Sequence, residues 1–416
     1  MPLPNLNPTI ATLDEVLRFD HPADAVLSGR FRAHREHGGR DRAFIAESVY
    51  GVLRRKRLLD ALTDNGTSRQ LLIAWLSRVQ GHGLKEFGDQ LSDAETAWVK
   101  TLKARKLDDQ PPAVQAELPD WLWHRLVEQR GEAEALSLGR SMQNAAPLDL
   151  RVNTLKTKRE PLLAALAEEG IEATATPYSP IGIRVVGKPA VNRSPLFAAG
   201  DFEVQDEGSQ LLGFLLNPKR NQLVVDFCAG AGGKTLELGA MMASKGRIYA
   251  MDVAEARLKR IAPRLKRSGL SNVEPRLISS EHDNKVKRLA NKIDRVLVDA
   301  PCTGSGTLRR NPDLKWRQSD DSVAELNLKQ ASILDAAAKL LKPGGRLVYA
   351  TCSLLREENQ DIVQGFLASH PDYRLVPASE ALDTNRVALP ELGDYLQLSP
   401  AVHHTDGFFG AVIERV

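Results

Sequence analysis

The chain has 416 residues, of which 42% are hydrophobic and 26% are charged, and its formal net charge at pH 7 is +3. These values are ordinary for a globular protein, and the length allows two or three domains. No apolar stretch is long enough for a transmembrane helix, and the start shows no signal-peptide pattern. Three widely spaced cysteines predict neither a disulfide framework nor a zinc site. We therefore expect a cytoplasmic protein with reduced thiols, no membrane partner and no bound metal.

The first half of the chain changes its periodicity near residue 146. Before that point the apolar residues follow helical spacing, as in "DRAFIAESVYGVLRRKRLLD" (41–60), where Ile45, Val49 and Val52 share one face. After it, "LDLRVNT", "IEATATPY" and "IGIRVVG" have the alternation of strands, and "KREPLLAALAEEG" that of a helix. We predict an all-α domain over 1–145 and a small α+β module over 146–203.

The remainder, 204–416, alternates short apolar strands with helices or turns. The predicted strands are 223–227, 247–252, 273–278, 295–299 and 346–351, and the terminal "FFGAVIERV" predicts one more strand with no helix after it. Such alternation predicts an α/β fold, a doubly wound Rossmann-like parallel sheet with helices on both faces. The last strand would be an antiparallel addition to that sheet.

A glycine-rich loop, "CAGAGGK" (228–234), follows the first of these strands. A P-loop needs a glycine where Cys228 stands, and the dinucleotide fingerprint needs one where Thr235 stands, so neither motif fits. The pattern that does fit is a loop of small residues between Asp226 and a helix N-terminus. Asp252 then stands at the end of the second strand, where a carboxylate can hold a ribose diol. This combination predicts an S-adenosylmethionine site.

Two cysteines follow the fourth and fifth strands, Cys302 in "DAPCTGSG" and Cys352 in "YATCSLLREENQ". Adjacent parallel strands would bring both thiols to the same sheet edge, beside Asp299. Ser353 predicts the N-cap of a helix whose dipole lowers the pKa of the Cys352 thiol. A thiolate that adds to C6 of a pyrimidine makes C5 nucleophilic, and an acid near N3, such as Asp299, can share the developing charge. The alternative is that the cysteines are small core residues.

The motifs "DFCAGAGGKT", "DAPCTGSGTLRRNPDLKW" and "TCSLLREEN" resemble those of the RsmB/NOP family of RNA cytosine-C5 methyltransferases, over roughly 148–416. The resemblance implies that Cys352 is the nucleophile and that Cys302 helps to release the product. It also implies the cofactor-binding residues, which are Cys228, Ala229, Gly230, Ala231, Gly232, Gly233, Lys234, Asp252 and Asp299. The segment 40–60 resembles, more weakly, the NusB-like RNA-binding domain of bacterial small-subunit rRNA members. We therefore expect a monomeric enzyme that acts on RNA, with 16S rRNA as the first candidate.

The sequence departs from the family at two places. Gly230 and Ala231 stand where the family commonly has alanine and proline, and "ISSEHD" (278–283) lacks the usual Gly-Asp. It remains open whether Ser280, His282 or Asp283 contacts the adenine side of the cofactor.

Three other functions compete with this one. Transfer RNA or 23S rRNA are alternative substrates, and a non-catalytic RNA-binding assembly factor is an alternative of another class. Methylation of an adenine amine is disfavoured, because those enzymes have Asn/Asp-Pro-Pro-aromatic where this chain has "DAPC".

Two basic segments predict contacts with RNA. Residues 253–295 hold 12 Lys or Arg and 5 Asp or Glu, many of them in "ARLKRIAPRLKR", a helical pattern that Pro263 should kink. In "LRRNPDLKW" (308–316), the basic residues Arg309, Arg310 and Lys315 suit phosphates, and Trp316 suits either base stacking or core packing.

Overall fold

A computed structural model describes residues 2–105, 109–385, 387–390 and 392–416 of the chain. It divides into two compact units. One comprises Met1–Ala145 and Thr307–Asp320, and the other comprises Ala146–Gly306 and Asp321–Val416. The second unit therefore holds both the α+β module and the larger sheet. The segment 307–320, which the sequence assigns to the C-terminal domain, groups with the helical unit instead.

The first unit is built from amphipathic helices whose apolar faces share one core. Ile45, Val49 and Val52 are buried in this core, as their spacing predicts. Gly131, with φ at +83°, separates two helices that the periodicity alone would join. The described part of 2–145 contains no strand. Its helices are α1 Asn7–Val16, α2 Ala23–Ala33, α3 Gly39–Arg54, α4 Lys56–Thr63, α5 Ser68–Ala74, α6 Leu84–Phe87, α7 Asp93–Ala104, α8 Pro112–Gln115, α9 Asp120–Arg130 and α10 Glu132–Ser141.

The α+β module is a four-stranded antiparallel sheet in the order β2-β3-β1-β4. Leu150, Ile183 and Phe202 bury its apolar face. The fourth strand is not evident in the sequence, because three residues are too few to show alternation. The elements are β1 Leu148–Val152, α11 Arg159–Glu168, β2 Ala173–Ala175, β3 Gly182–Val185, α12 Pro195–Ala199 and β4 Phe202–Val204.

The larger sheet has the order β10-β12-β9-β8-β5-β6-β7, with β11 paired to β12. Strands β5 to β9 are parallel, and β12 pairs antiparallel to β9, so the predicted doubly wound sheet with an antiparallel addition is confirmed. Its strands are β5 Leu223–Asp226, β6 Arg247–Asp252, β7 Val273–Leu277, β8 Ile293–Asp299, β9 Leu341–Thr351, β10 Tyr373–Val376, β11 Leu396–Leu398 and β12 Phe408–Arg415. The helices that accompany this sheet are α13 Glu207–Leu216, α14 Gly233–Met241, α15 Glu255–Leu258, α16 Ile261–Ser268, α17 Asn284–Lys287, α19 Asp320–Ala338, α20 Gln360–Ser369 and α21 Ala378–Asp383. Helix α18 Leu314–Arg317 lies in the segment that groups with the helical unit.

The strand order reverses between β5 and β8. Because β5 pairs with β6 on one side and with β8 on the other, the chain leaves β5 in one direction and returns on its opposite side. Open α/β sheets bind ligands outside the carboxyl ends of the strands at such a point. At this edge the glycine loop follows β5, and the two candidate catalytic cysteines, Cys302 and Cys352, follow β8 and β9.

The segment 307–320 is held in the helical unit by side chains predicted to contact RNA. The ammonium of Lys315 is buried and donates to the carbonyl oxygens of Arg54 and Glu117, at 3.1 and 2.6 Å. The indole nitrogen of Trp316 donates to the carbonyl oxygen of Leu53 at 3.2 Å. The interpretation of Lys315 as a phosphate contact is therefore wrong. Trp316 is half-buried, and both of its predicted roles, base stacking and core packing, stay predictions.

Among the described residues, none of the helices combines the length and the apolar character needed to cross a bilayer.

Candidate active site

The loop between β5 and α14 lines a cavity of about 520 Å³ at the carboxyl edge of the larger sheet. Gly230 and Gly232 have φ values of +55° and +84°, which glycine adopts without strain. A Cβ atom at Gly230 or Gly233 would meet nothing within 4 Å, so the backbone there faces open space. The predicted loop residues that line the cavity are Cys228, Ala229, Gly230, Ala231, Gly233 and Lys234. Gly232 is not among them and lies against Ile261.

Two carboxylates at strand ends stand behind this loop. Asp252, which ends β6, accepts hydrogen bonds from the amides of Gly230 at 2.8 Å and Ala254 at 2.7 Å. Asp226, which ends β5, accepts from the hydroxyl of Thr235 at 2.6 Å, and burial raises its pKa to about 7. Its Oδ1 atom is buried without a hydrogen-bond partner in the described part of the chain. Both residues line the cavity, so a ligand with hydrogen-bond donors fits this wall.

Two residues that follow β7, Ile278 and Glu281, also line the cavity. Glu281 accepts a hydrogen bond from the hydroxyl of Ser332 at 2.6 Å, which lowers the pKa of its carboxyl. Asp283 instead caps α17 by accepting from the amide of Lys285 at 2.8 Å. None of Ser280, His282 and Asp283 lines this cavity. The sequence could have indicated Glu281 only as the remaining acid of "ISSEHD".

Lys234, in the first turn of α14, forms an ion pair with Asp299, which ends β8. The Nζ atom of Lys234 lies 2.7 Å from Oδ2 of Asp299. Burial by itself lowers the pKa of the Lys234 ammonium, but the charge and the hydrogen bond of Asp299 outweigh it, and the pKa is raised. The pair places one cation and one anion beside the thiols, in the same cavity.

The thiols of Cys302 and Cys352 meet at the ends of β8 and β9, as predicted. Their sulfur atoms lie 3.4 Å apart, and both residues line the cavity. The hydrogen bond with Cys352 raises the pKa of Cys302 well above its usual value, and burial and the charges of Cys352 and Glu358 raise it further. Burial and the charge of Asp226 likewise raise the pKa of Cys228.

The predicted helix after Cys352 begins later in the chain than the sequence indicates. Residues 353–355 are not helical, a 3₁₀ turn covers Arg356–Glu358, and α20 starts at Gln360. Ser353 does not cap it, because its hydroxyl donates to the carboxylate of Glu358. The prediction that Ser353 caps a helix directly after Cys352 is therefore wrong.

Much of the basic segment 253–295 has structural partners. Arg264 and Arg267 both pair with Glu203, and Arg264 also donates to the carbonyl oxygen of Ala231 at 2.6 Å. The predicted kinked helix is two helices, α15 and α16, with Pro263 in the first turn of α16. Arg260 and Lys266 are exposed.

Comparison with known proteins identifies the family. A family model described as 16S rRNA methyltransferase RsmB/F matches residues 213–414. A second, described as a methyltransferase RsmF/B-like, ferredoxin-like domain, matches residues 118–192, so it includes α9 and α10, which the sequence assigns to the helical domain. The chain is also 33% identical to the probable ribosomal RNA small subunit methyltransferase B of Synechocystis, over 97% of each chain. The chain belongs to the RsmB/F family.

Solved structures agree with this assignment. That of PH0851 superposes with a TM-score of 0.80 over 100% of both chains, at 27% identity. That of a methyltransferase homolog protein from Pyrococcus horikoshii covers 73% of this chain and 98% of its own, with a TM-score of 0.63 and 31% identity. This RsmB/F member is an RNA methyltransferase that depends on S-adenosylmethionine, and the predicted Rossmann-like fold is confirmed.

Proposed function

We propose that this enzyme transfers a methyl group to C5 of a cytosine in small-subunit ribosomal RNA, through a covalent bond between Cys352 and C6. One observation carries the proposal: two thiols lie 3.4 Å apart inside the cavity that the glycine loop lines. Methylation of an amine or a hydroxyl needs no thiol. Methylation of a pyrimidine carbon needs one, because C5 becomes nucleophilic only after a nucleophile adds to C6.

The cofactor-binding wall is assigned to the glycine loop and the strand-end carboxylates. We assign the loop Cys228–Lys234 to the methionine part of the cofactor, Asp252 to the ribose and Glu281 to the adenine side. The open backbone at Gly230 and the unpartnered Oδ1 of Asp226 support this arrangement. S-adenosylmethionine supplies the electrophilic methyl group.

In the first step the thiolate of Cys352 adds to C6. The carbon–sulfur bond forms, the C5–C6 double bond opens, and the electron density moves toward C5 and N3. Asp299 is assigned to N3: a proton taken up from solvent lies between N3 and the Asp299 carboxylate and balances the charge that develops on the ring, and Lys234 fixes that carboxylate. The ion pair supports this assignment because Lys234 holds the Asp299 carboxylate in place through one of its oxygens, Oδ2.

In the release step a base removes the C5 proton, the double bond re-forms, and the sulfur of Cys352 leaves as a thiolate. We assign Cys302 to this step. While Cys352 is free, its hydrogen bond and charge raise the pKa of Cys302. Once Cys352 is a neutral thioether, that charge is gone, so Cys302 loses its proton to solvent more easily and can accept the one at C5.

The assignment to small-subunit rRNA rests on the relatives, whose names specify that substrate. We also propose that the helical unit is the NusB-like RNA-binding domain. On the larger unit, Arg260 and Lys266 are exposed and are candidates for phosphate contacts.

Product mapping tests this function. Ribosomal RNA from a strain that lacks the gene should lose one 5-methylcytidine in bisulfite sequencing, and plasmid expression of the gene should restore it. The purified enzyme should place the same mark on 16S rRNA from that strain. A lost mark in transfer RNA or 23S rRNA would reassign the substrate. An unchanged set of cytosine marks would contradict the C5 chemistry.

The role of Asp252 can be tested by cofactor titration. Asp252→Ala removes the proposed ribose contact and also the acceptor for the Gly230 amide. Because a hydrogen bond to a charged group contributes about 1.5–3 kcal/mol, we expect the dissociation constant for S-adenosylmethionine to rise about 10-fold to 100-fold. Glu255→Gln, three residues away and surface-exposed, is the matched control. Equal affinities for the two variants would remove Asp252 from the site.

A further inference from the structure

A fully buried carboxylate, that of Glu358, joins the two turns that carry the thiols. Its Oε1 atom accepts from the amide of Thr303 at 2.8 Å and from the side chain of Gln330 at 3.0 Å. Its Oε2 atom accepts from the hydroxyl of Thr303 at 2.6 Å and from the hydroxyl of Ser353. Thr303 directly follows Cys302, and Ser353 directly follows Cys352. One side chain therefore holds the backbone next to both sulfur atoms.

The surroundings of Glu358 are themselves fixed. The hydroxyl of Tyr349 donates to the backbone carbonyl of Glu358 at 2.8 Å. Gln330 donates a second hydrogen bond, to the carbonyl of Pro301 at 2.9 Å. The side chain of Asn359 donates to the carbonyl of Ser353 at 2.9 Å. Hydrogen bonds from groups that do not line the cavity thus fix the backbone of Glu358, its partner Gln330 and the turn at Ser353.

Glu358 has hydrogen-bond donors but no cation. Within the described ranges, no Lys, Arg or His nitrogen lies within 4.0 Å of its carboxylate. Four hydrogen-bond donors point at its two oxygens, and a buried charge acts on its neighbours with little screening.

The other charged groups near the thiols belong to the cavity wall. They are the Lys234–Asp299 ion pair, whose charges offset each other, Lys329 on α19, and Asp226, Asp252, Arg257 and Glu281. Among the groups around Cys302, the charges of Cys352 and Glu358 both raise its pKa. Of these two charges, that of Cys352 is lost when its sulfur bonds to the base, and that of Glu358 is unchanged by that bond.

We propose that Glu358 is a positioning residue: its carboxylate ties the turn after Cys302 to the turn after Cys352, sets the distance between the two sulfur atoms and places a buried negative charge beside Cys302. The inference rests on the proposed cysteine chemistry. It adds a residue that touches neither the base nor the cofactor cavity. The same buried charge makes the Cys302 thiolate a stronger base for the C5 proton, since a thiol with a higher pKa gives a more basic anion.

The test measures which sulfur is ionised, without RNA. The reduced protein is treated with iodoacetamide between pH 6 and 10, and alkylation of each cysteine is followed by peptide mass spectrometry. Glu358→Gln keeps the shape and removes the charge. We expect its Cys302 to be alkylated about tenfold faster near neutral pH, as for a pKa lowered by one unit. The kcat should fall about tenfold while the affinity for S-adenosylmethionine and the KM for RNA stay within about twofold.

Asp361→Asn is the matched control, because it removes an exposed carboxylate from the next helix, one already paired with Arg356. It should leave both alkylation profiles unchanged. Alkylation profiles of Glu358→Gln that match the wild type would overturn the inference.

A second variant covers the case in which Glu358→Gln does not fold. Glu358→Asp keeps the charge and shortens the side chain, so it should preserve the alkylation order of the two thiols. Combined with Cys302→Ala, it should slow formation of the covalent RNA adduct, and an unchanged rate would overturn the positioning role. Absence of an adduct with Cys302→Ala alone would instead count against the proposed function, and the RNA-free alkylation result would still decide the role of Glu358.

Discussion

Cys352→Ala should lack both methyl transfer and the covalent RNA adduct, while the protein remains folded. Removal of a nucleophile from other covalent enzymes lowers kcat by about 10⁴-fold to 10⁶-fold, and we expect a loss on that scale. The fold should tolerate the change because Cys352 is only half-buried and its carbonyl keeps the hydrogen bond from Gly306 at 2.9 Å. Tritium transfer from labelled S-adenosylmethionine to 16S rRNA measures the activity.

The control for Cys352→Ala is the third thiol of the cavity. Cys228→Ala also removes one sulfur atom from the cavity wall, but at saturating cofactor it should still form the adduct. Thermal unfolding and cofactor titration should show that both variants are folded. Substantial methyl transfer by Cys352→Ala would exclude it as the attacking residue and would leave Cys302, the Pro-Cys thiol, as the candidate.

The sequence predicts the arrangement of the sheet well, because each strand of the parallel core is a short apolar run between turn signals. The strand-end residues Asp252, Asp299, Cys302 and Cys352 all lie at the cavity, because parallel strands bring their carboxyl ends to one edge. The topology alone therefore brings together residues far apart in the chain.

What the sequence could not predict depends on long-range partners. "SLLREENQ" has helical propensity from Ser353 onward, but Glu358 draws the hydroxyl of Ser353 into a buried hydrogen bond, and the helix begins only at Gln360. Lys315 has the composition of a phosphate contact, yet it is satisfied by two carbonyl oxygens distant in sequence. In both cases tertiary hydrogen bonds decide the role of a residue whose local pattern indicates another.

Cys302→Ala should have the opposite phenotype to Cys352→Ala. Cys352 can still add to C6 and C5 can still accept the methyl group, but the assigned base for the C5 proton is absent. The intermediate should then accumulate as a protein–RNA species that survives denaturing gel electrophoresis, at close to one RNA per enzyme. Turnover should fall by about 10²-fold to 10⁴-fold, the range that a general base contributes.

The double variant Cys302→Ala/Cys352→Ala separates this explanation from trapping by any other nucleophile. It should form no adduct, because the trapped bond is the one that Cys352 makes. If both cysteines were only core residues, each single substitution would cost stability of about 1 kcal/mol and neither would give an adduct. An adduct with Cys352→Ala and none with Cys302→Ala would reverse the two roles.

The 3.4 Å between the sulfur atoms allows either thiol to reach a base in the cavity, so the asymmetry between the two thiols must come from their different environments. The hydrogen bond with Cys352 and burial raise the pKa of the Cys302 thiol, and this is one such difference.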